Sequence, residues 1–339
     1  MLIRILCAIA GVAVLVNAAD DEGSKELRRE LKGYRHKLVC ESNRSGNWDL
    51  FLMNADGSGM VNLTNTPEID ELYPKASPDG LQICFVADEG KGEGKVRNLY
   101  VMTSDGSGRK KIADNAREPC WSADGKYIAF LKGEFEKFNL QDFATRGIFI
   151  YDLKSGETHE HPNKNIKHLY TLNWSPDGRW FVATVHGGMG FKHGIVAIEA
   201  EGDKVFDLGL EGCRPDLSPD AKKISWGHGD CALGNADLDL SGPEPKVSNI
   251  HNIVETEDPI ETYHVDWSPD GKYVAFSRGP KATKKNLKGL LPEFPGVEAP
   301  GWNICVADAA QKDRWVMLTT DGKSNKEPDW VFVKDEAGK

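Results

Sequence analysis

Basic residues are in the minority in this chain of 339 residues, and they form no basic cluster along it. Lysine and arginine number 42 against 52 aspartate and glutamate residues, which gives a formal net charge of −10. Proteins that bind nucleic acid need basic side chains to neutralise phosphates. The balance of charge therefore argues against a nucleic-acid partner.

Cysteine is also scarce, with seven residues in the chain. Apart from Cys7, the cysteines are Cys40, Cys84, Cys120, Cys213, Cys231 and Cys305. No two of them have the close spacing of a zinc knuckle. Cys213 and Cys231 fall near one rim of the same predicted unit, where they can either pair or stay as thiols. The Gly-x-Ser-x-Gly elbow of α/β-hydrolases is absent as well, which argues against a serine hydrolase.

Long apolar runs are missing except at the N-terminus. Arg4 precedes an apolar stretch from Ile5 to Val16, which ends in Asn17-Ala18-Ala19. The stretch is too short to span a bilayer comfortably, and small residues follow it. We interpret residues 1–19 as a signal peptide and expect a periplasmic or secreted protein with no transmembrane span after cleavage; an uncleaved anchor is the alternative. Residues 20–36 are highly charged and predict a tether that can include a short helix.

A four-residue turn recurs five times at intervals of 45, 53, 43 and 50 residues. The five copies are Ser77-Pro78-Asp79-Gly80, Ser122-Ala123-Asp124-Gly125, Ser175-Pro176-Asp177-Gly178, Ser218-Pro219-Asp220-Ala221 and Ser268-Pro269-Asp270-Gly271. Proline presets one backbone angle, and Asp-Gly favours a tight hairpin. Each turn separates two apolar runs, and third and fourth runs follow in most repeats. Four antiparallel strands per repeat predict the blades of an all-β propeller.

The two ends of the chain complete each other. Glu327 to Phe332 repeats the first strand of a blade, with Trp330 in the place of Trp121, Trp174 and Trp267, but its hairpin partner is missing there. The partner strands lie at the other end, from Lys37 onward. The sequence therefore predicts six blades and a ring closed by one shared blade, with the propeller covering residues 37–335.

The repeated Trp-Ser-Pro-Asp-Gly and Ile-Ala-Phe elements, followed by Leu-Tyr-Val-Met and Asp-Gly-Ser, resemble the six-bladed propeller of the TolB family. The resemblance runs from about Lys37 to Phe332. TolB carries an additional α/β domain before its propeller, and only about twenty residues precede the first strand here after the signal segment. The resemblance therefore implies the propeller alone, without the role of TolB in its own complex.

Propeller topology predicts which residues share a rim. The Ser-Pro-Asp-Gly turns and the Asp-Gly-Ser turns lie on one rim, which we name the bottom rim. The loops from strand two to three, and those between blades, lie on the other, the top rim. Binding residues often sit on such variable loops, so the top rim is the expected working surface.

Six residues are predicted to begin the innermost strands at the top rim, three positions before the repeat tryptophan or its equivalent. These mouth residues are Tyr73, Glu118, Thr171, Arg214, His264 and Glu327. Such a polar set predicts a ligand site at the mouth of the central channel. The alternative is that these polar residues face water in a channel that binds no ligand. On that basis, replacing Arg214, His264 or Glu327 by alanine is expected to abolish binding with little change in melting temperature.

A long insertion, Arg278 to Trp302, is predicted to fold over the top rim beside His264. It contains Lys281, Lys284, Lys285 and Lys288. A basic and partly apolar flap suits an acidic polymer or a peptide, and it is equally consistent with a structural insertion.

Two classes of function remain open from the sequence. The first is an exported, monomeric, non-catalytic scaffold that binds a protein or glycan partner through the top rim and the channel mouth. The second is a metal-dependent carbohydrate-active enzyme that resembles oligogalacturonate lyase, another propeller of similar repeats. That resemblance implies a divalent metal (manganese, zinc or calcium), with His264 as one ligand and Glu327 and Glu118 as possible others. Tyr73, Thr171 and Arg214 stand where further ligands are expected, so binding is the favoured interpretation.

Overall fold

A computed structural model describes residues 22–282 and 290–335 of the chain. The predicted signal peptide lies outside the described residues, as do Lys284, Lys285 and Lys288 of the predicted flap. Within the described ranges, twenty-four strands form six four-stranded antiparallel sheets. The six-bladed propeller predicted from the repeats is confirmed.

The blades follow one another along the chain, and each runs from an inner to an outer strand. Blade 1 contains β1 (Lys37–Ser42), β2 (Asp49–Asn54), β3 (Val61–Asn62) and, as its inner strand, β24 (Asn325–Val331). Blade 2 contains β4 (Asp70–Ala76), β5 (Gln82–Glu89), β6 (Val96–Thr103) and β7 (Lys110–Ala113), with a 3₁₀ turn at Gly92–Gly94. Blade 3 contains β8 (Ala116–Trp121), β9 (Tyr127–Gly133), β10 (Thr145–Asp152) and β11 (Thr158–Glu160).

The second half of the ring repeats the same order. Blade 4 contains β12 (Leu169–Trp174), β13 (Trp180–His186), β14 (His193–Glu199) and β15 (Val205–Asp207). Blade 5 contains β16 (Cys213–Leu217), β17 (Lys223–His228), β18 (Ala232–Asp239) and β19 (Lys246–Glu255). Blade 6 contains β20 (Ile260–Trp267), β21 (Tyr273–Pro280), β22 (Asn303–Asp308) and β23 (Trp315–Met317).

The repeated turn is held by the side chains that define it. In blade 2 the Ser77 hydroxyl donates to Asp79 Oδ1 at 2.6 Å, and the same oxygen accepts from the Leu81 backbone N–H at 3.0 Å. Gly80 has φ +71°, and a Cβ there would lie 1.8 Å from the Phe332 carbonyl oxygen. The glycine is therefore required by backbone conformation and by the close approach of the chain's end. All of the Ser-Pro-Asp-Gly-type turns join the inner strand to the second strand, as predicted.

Ring closure is carried by the pairing of β1 with β24. Lys37 lies opposite Val331 and Ser42 lies opposite Asn325. All seven residues of β24 are buried. The shared blade predicted from the two chain ends is thus confirmed.

Apolar side chains pack between neighbouring blades. One cluster joins Leu72, Val86 and Leu99 of blade 2 to Ile128 and Phe130 of blade 3. Each blade buries its faces against the next, so the ring is stabilised by burial of apolar surface all the way round.

The charged N-terminal segment forms α1 (Glu22–Lys32). Leu27 and Leu31 of this helix are buried in a cluster that includes Tyr273 and Trp330. The segment predicted as a tether therefore docks on blades 6 and 1.

Two expectations from the sequence concern the pairing of cysteines and a membrane-spanning helix. Cys213 and Cys231 are free thiols, like the other four cysteines in residues 22–282 and 290–335. No helix in the same ranges is both long and apolar enough to cross a membrane.

Candidate functional site

The six mouth residues occupy equivalent places in the six inner strands, but they lie inside those strands and do not begin them. Each sits where the register with the second strand shifts, at a β-bulge. Their φ angles lie in the left-handed region: Tyr73 51°, Glu118 49°, Thr171 51°, Arg214 57°, His264 57° and Glu327 50°. None of them is glycine, so each conformation costs about 1 kcal/mol or more.

Contacts between different blades show that three of these side chains meet. His264 Nε2 lies 3.1 Å from Glu327 Oε1, and Arg214 Nη1 lies 3.8 Å from the same oxygen. Arg214 Nη2 also forms an ion pair with Asp142, which lies between β9 and β10. Arg214, His264 and Glu327 therefore form one buried polar cluster, which is anchored by the Arg214–Asp142 ion pair and joins blades 5, 6 and 1 to a top-rim loop.

The other mouth residues bond to neighbouring blades. Glu118 Oε2 accepts from the Thr171 backbone N–H at 2.8 Å, linking blade 3 to blade 4. The Tyr73 backbone N–H donates to Glu41 Oε2 at 3.1 Å. Burial and the nearby Glu118 carboxylate raise the pKa of Tyr73 well above its usual range. These two hydrogen bonds link the inner strands of blades 2 and 4 to blades 1 and 3.

All six mouth residues are buried, with Thr171 the most exposed at 8%. Burial changes the expectation for their substitution, because removing one member of a buried polar cluster leaves the others unpaired. Loss of stability is therefore expected along with any loss of binding, so these substitutions are expected to lower the melting temperature and not to leave it nearly unchanged.

The mouth is covered by residues 290–302, which we name the strap. The Lys326 ammonium group, which is fully buried, donates to the carbonyl oxygens of Pro292, Phe294 and Val297 at 3.0, 2.5 and 3.0 Å. His264 Nε2 donates to the Glu293 carbonyl oxygen at 2.8 Å. These bonds hold the described part of the predicted flap against the channel mouth.

Further contacts fix the middle and the C-terminal end of the strap. The Gly296 N–H donates to Glu41 Oε1 at 3.3 Å, and the Ala299 N–H donates to Ser324 Oγ at 2.7 Å. Trp302 stacks on Tyr263 with ring centroids 6.3 Å apart and planes at 2°. The strap is thus bonded along its length to strands of blades 1 and 6 and to the residues next to them.

Burial also shifts the pKa values of the mouth residues. Burial raises the pKa of Glu327 well above its usual range and raises the pKa of Glu118. Burial and the nearby Arg214 guanidinium lower the pKa of His264 well below 6.5. A neutral imidazole that donates from Nε2 leaves Nδ1 as an acceptor, and that atom has no hydrogen-bond partner among the described residues.

The metal set inferred from the sequence is not assembled. His264 lies beside Glu327, but Glu118 bonds instead to the Thr171 backbone. In residues 22–282 and 290–335, no group of three or more His, Cys, Asp or Glu residues is placed to hold a metal ion. These residues therefore do not fit a metal centre of the kind that the lyase resemblance implies.

A second ring, made of charged residues, lies two positions after the mouth residues on the inner strands. It was not identified from the sequence. It contains Lys75, Asp216, Asp266 and Asp329, each directly before the repeat tryptophan or its equivalent. Lys75 Nζ lies 2.9 Å from Asp329 Oδ2 and 3.5 Å from Asp266 Oδ1. The repeated Asp-Trp pair was the signal that could have identified this ring.

The three aspartates join consecutive blades. Asp216 accepts from the Trp267 N–H at 2.8 Å, Asp266 accepts from the Trp330 N–H at 2.7 Å, and Asp329 accepts from the Ala76 N–H at 2.7 Å. Burial raises the pKa of Asp216 to about 6 despite the attraction of Lys75. This ring therefore contributes to closing the propeller from blade 5 through blade 1 to blade 2.

A carboxylate beside the strap gives stability an expected pH dependence. Burial, together with Glu293 and Asp230, raises the pKa of Glu261 from 4.5 to about 7. Between about pH 4.5 and pH 7 the unfolded chain releases a proton that the folded chain keeps, so stability falls as pH rises through this window. We expect Glu261→Gln to raise the free energy of unfolding by about 1–3 kcal/mol at pH 8, since the ionised carboxylate is disfavoured at a residue that is 6% exposed, and to leave it unchanged at pH 4.

Urea unfolding at the two pH values measures this effect. Glu255→Gln is the matched control, because Glu255 is an exposed residue that pairs with Lys312 at 2.9 Å. A gain at pH 8 that appears equally in the control, or a gain at pH 4, would contradict the assignment to Glu261.

Comparison with known sequences finds only partial relatives. No family model matches the chain. It is 29% identical over 140 residues to the uncharacterized peptidase YuxL of Bacillus subtilis, covering 32% of this chain and 21% of that protein. It is 27% identical over 157 residues to eukaryotic translation initiation factor 2A of Caenorhabditis elegans, covering 45% and 26%. The matches thus span about a quarter or less of each relative's length.

Comparison with solved structures supports the fold. TolB from Acinetobacter baumannii matches with a TM-score of 0.62 and 19% identity, over 87% of this chain and 66% of that one. A chain of the nidogen/laminin complex matches with a TM-score of 0.58 and 9% identity, over 88% and 98%. Oligogalacturonate lyase in complex with manganese has a TM-score of 0.47 and 14% identity, over 80% and 70%, which is too low to bear on activity. At these identities the likeness shows the propeller fold alone.

Proposed function

We propose that this chain is an exported, non-catalytic binding propeller that engages a macromolecular partner through its top rim. The observation that supports this proposal is the strap. It is bonded over the mouth residues by Lys326, His264 and Glu41, so the top rim offers a partner the outer surface of the strap and of the neighbouring loops. Such a surface is rigid, which favours binding over a site that must admit a small substrate.

The loop between β9 and β10 extends this surface. Phe143 of the loop packs edge-on against Phe294 of the strap, with ring centroids 6.3 Å apart. Each element also exposes a large apolar side chain: Phe135 is 53% exposed and Leu291 is 47% exposed. Exposed apolar groups on ordered top-rim loops favour a protein partner, with a glycan as the alternative.

Export is supported by the N-terminal sequence. The apolar stretch from Ile5 to Val16 and the small residues after it are typical of a signal peptide. Cleavage near Ala18 or Ala19 would release a periplasmic or secreted protein, which we expect to be a monomer.

The enzyme alternative receives less support from the described residues. His264 Nδ1 is a free buried acceptor, but no second and third ligand accompany it. We therefore propose a binding function in preference to a metal-dependent enzyme.

Site-specific photo-crosslinking tests this function. A benzoylphenylalanine placed at Phe135 or Leu291 is expected to capture a partner protein when the chain is expressed in its host. Matched control positions are Leu81 and Val61, which are 65% and 58% exposed and lie at the bottom-rim turns. Adducts at the two top-rim positions alone support the proposal. Adducts only at Leu81 and Val61, or equal adducts at all four positions, would contradict it.

A further inference from the structure

Two clefts between neighbouring blades on the bottom rim share the same turn residues and a repeat tryptophan. The first, cleft 3/4, begins with Asp124-Gly125-Lys126-Tyr127 of blade 3. The second, cleft 6/1, begins with the identical Asp270-Gly271-Lys272-Tyr273 of blade 6. The repeat tryptophan of the next blade completes each cleft, Trp174 in the first and Trp330 in the second. Equivalent positions in the repeat therefore give the two clefts the same aspartate, tyrosine and tryptophan, whereas Ser175-Pro176-Asp177 follows the tryptophan of cleft 3/4 and Val331-Phe332-Val333 follows that of cleft 6/1.

Cleft 6/1 is filled by the chain's own N-terminal segment. The Tyr34 ring packs edge-on against Tyr273 and against Trp330, with ring centroids 5.0 and 5.4 Å apart. The Tyr34 hydroxyl donates to Asp270 Oδ1 at 2.6 Å. The aromatic contacts and the charge-assisted hydrogen bond show what a cleft of this composition binds.

Cleft 3/4 has the same groups but remains open, with a cavity volume of about 410 Å³. Residues that line it include Asp124, Tyr127, Trp174, Asp177 and Glu201. Trp174 is partly exposed, whereas Trp330 is 5% exposed beneath Tyr34. The Tyr127 and Trp174 rings lie 6.5 Å apart at 50°, so the two aromatic groups are neighbours at the cavity wall.

The cleft between blades 5 and 6 shows that this composition is not shared by every cleft. Lys223 stands there at the repeat position of Tyr127, five residues after the turn serine. Lys223 lines the cavity together with Trp267, and its Nζ lies 2.8 Å from Asp237 Oδ1. A lysine thus replaces the aromatic wall, and cleft 3/4 matches cleft 6/1 rather than this one.

We propose that cleft 3/4 is a docking site for a tyrosine side chain carried by an extended segment of a partner protein. The incoming ring would pack on Tyr127 and Trp174, and its hydroxyl would donate to Asp124, as Tyr34 does at the twin cleft. A second copy of this chain is the less favourable source, because its Tyr34 would first have to leave its own cleft. The site is on the bottom rim, so it does not depend on the top-rim function proposed above.

The probe for this site is a peptide with the sequence of residues 31–36, compared with versions in which phenylalanine or alanine replaces its tyrosine. Binding is followed by NMR of the indole N–H groups of the ¹⁵N-labelled protein, and the Trp174 signal is assigned from its loss in Trp174→Phe. We expect the tyrosine peptide to shift the Trp174 signal. The phenylalanine peptide is expected to bind about fivefold more weakly, since it lacks one hydrogen bond, and the alanine peptide more than tenfold more weakly.

Three variants make the assignment specific. Tyr127→Lys copies the residue of the blade 5 cleft and is expected to remove binding. Asp124→Asn is expected to weaken the tyrosine peptide but not the phenylalanine peptide. Tyr34→Ala vacates cleft 6/1 and is expected to raise the stoichiometry from one peptide to two. Asp220→Asn, in the turn of blade 5, is the control that leaves binding unchanged.

Each contrary outcome removes the proposal. An unshifted Trp174 signal at saturating peptide, or equal affinities for the tyrosine and alanine peptides, would show that the cleft does not select tyrosine. Self-association of the purified protein that disappears in both Tyr34→Ala and Tyr127→Lys would assign the cleft to a second copy. Because Tyr127→Lys and Asp124→Asn act at separate atoms, misfolding of one variant leaves the other as a valid test.

Discussion

Deletion of residues 325–339 is expected to abolish the cooperative thermal unfolding transition. The deletion removes β24, which supplies the inner strand of blade 1 and is buried along its whole length. It also removes Lys326, which anchors the strap, and Asp329, which bonds to blade 2. An open ring would expose both β1 and the apolar face of blade 6, so the loss is expected to exceed the stability of an ordinary domain, about 5–15 kcal/mol.

Circular dichroism melting and limited proteolysis measure the result. A chain that ends at Asp335 retains β24 and is the matched control, which is expected to melt like the full chain. Addition of a peptide with the sequence of residues 322–335 is expected to restore the transition to the shortened chain. A shortened chain that melts cooperatively within a few degrees of the control would show that five blades and an open sixth are sufficient.

Arg214→Met is expected to lower the free energy of unfolding by about 3–5 kcal/mol. The Arg214 and Asp142 side chains are both 1% exposed, and Arg214 also faces Glu327. Methionine fills a similar volume but leaves the Asp142 carboxylate without its partner. The left-handed backbone at position 214 is equally unfavourable for both residues, so the change isolates the charge.

The free energy of unfolding in urea is measured for the unchanged protein, for Arg214→Met, for the double variant and for a surface control. Asp142→Leu combined with Arg214→Met is expected to recover part of the loss, since neither charge then remains buried and unpaired. Lys223→Met is the surface control, because Lys223 and Asp237 form an ion pair at 2.8 Å with side chains 44% and 42% exposed. That control is expected to lose less than 1 kcal/mol. Similar losses for Arg214→Met and Lys223→Met would contradict the assignment of Arg214 to a buried ion pair.

The fold was predictable because its signals are local and repeated. The turn from Ser77 to Gly80 and its copies set the strand pairs, and Trp330 identified the inner strand that completes blade 1. The convergence of Arg214, His264 and Glu327 followed from the same spacing. These predictions needed only the period of the repeat and the rule that one blade follows another.

The strap contacts and the backbone of the mouth were not predictable in the same way. Whether a long loop covers a channel depends on a few distant bonds, such as those from Lys326 to three carbonyl groups, and lysine in a strand carries no such signal. Left-handed conformations at non-glycine residues have no sequence signature either. The sequence predicts Tyr34 only as part of a tether, because its partner residues lie more than 230 positions away.

The pairing of the two chain ends also determines how the ring would respond to mechanical load. Lys37 is the first residue of β1, and it lies opposite Val331, the last residue of β24. Once the contacts of α1 and Tyr34 with the blades have been released, tension between the N-terminal and C-terminal segments would act first on this end pair and then on each pair in turn, so the hydrogen bonds would break one after another. Because the inter-strand hydrogen bonds of an antiparallel pair lie perpendicular to the strands, a pull in this direction lies along the bonds and is carried by one pair at a time. The strap anchor at Lys326 lies near the far end of the same seam, so it would be among the last contacts to feel the pull.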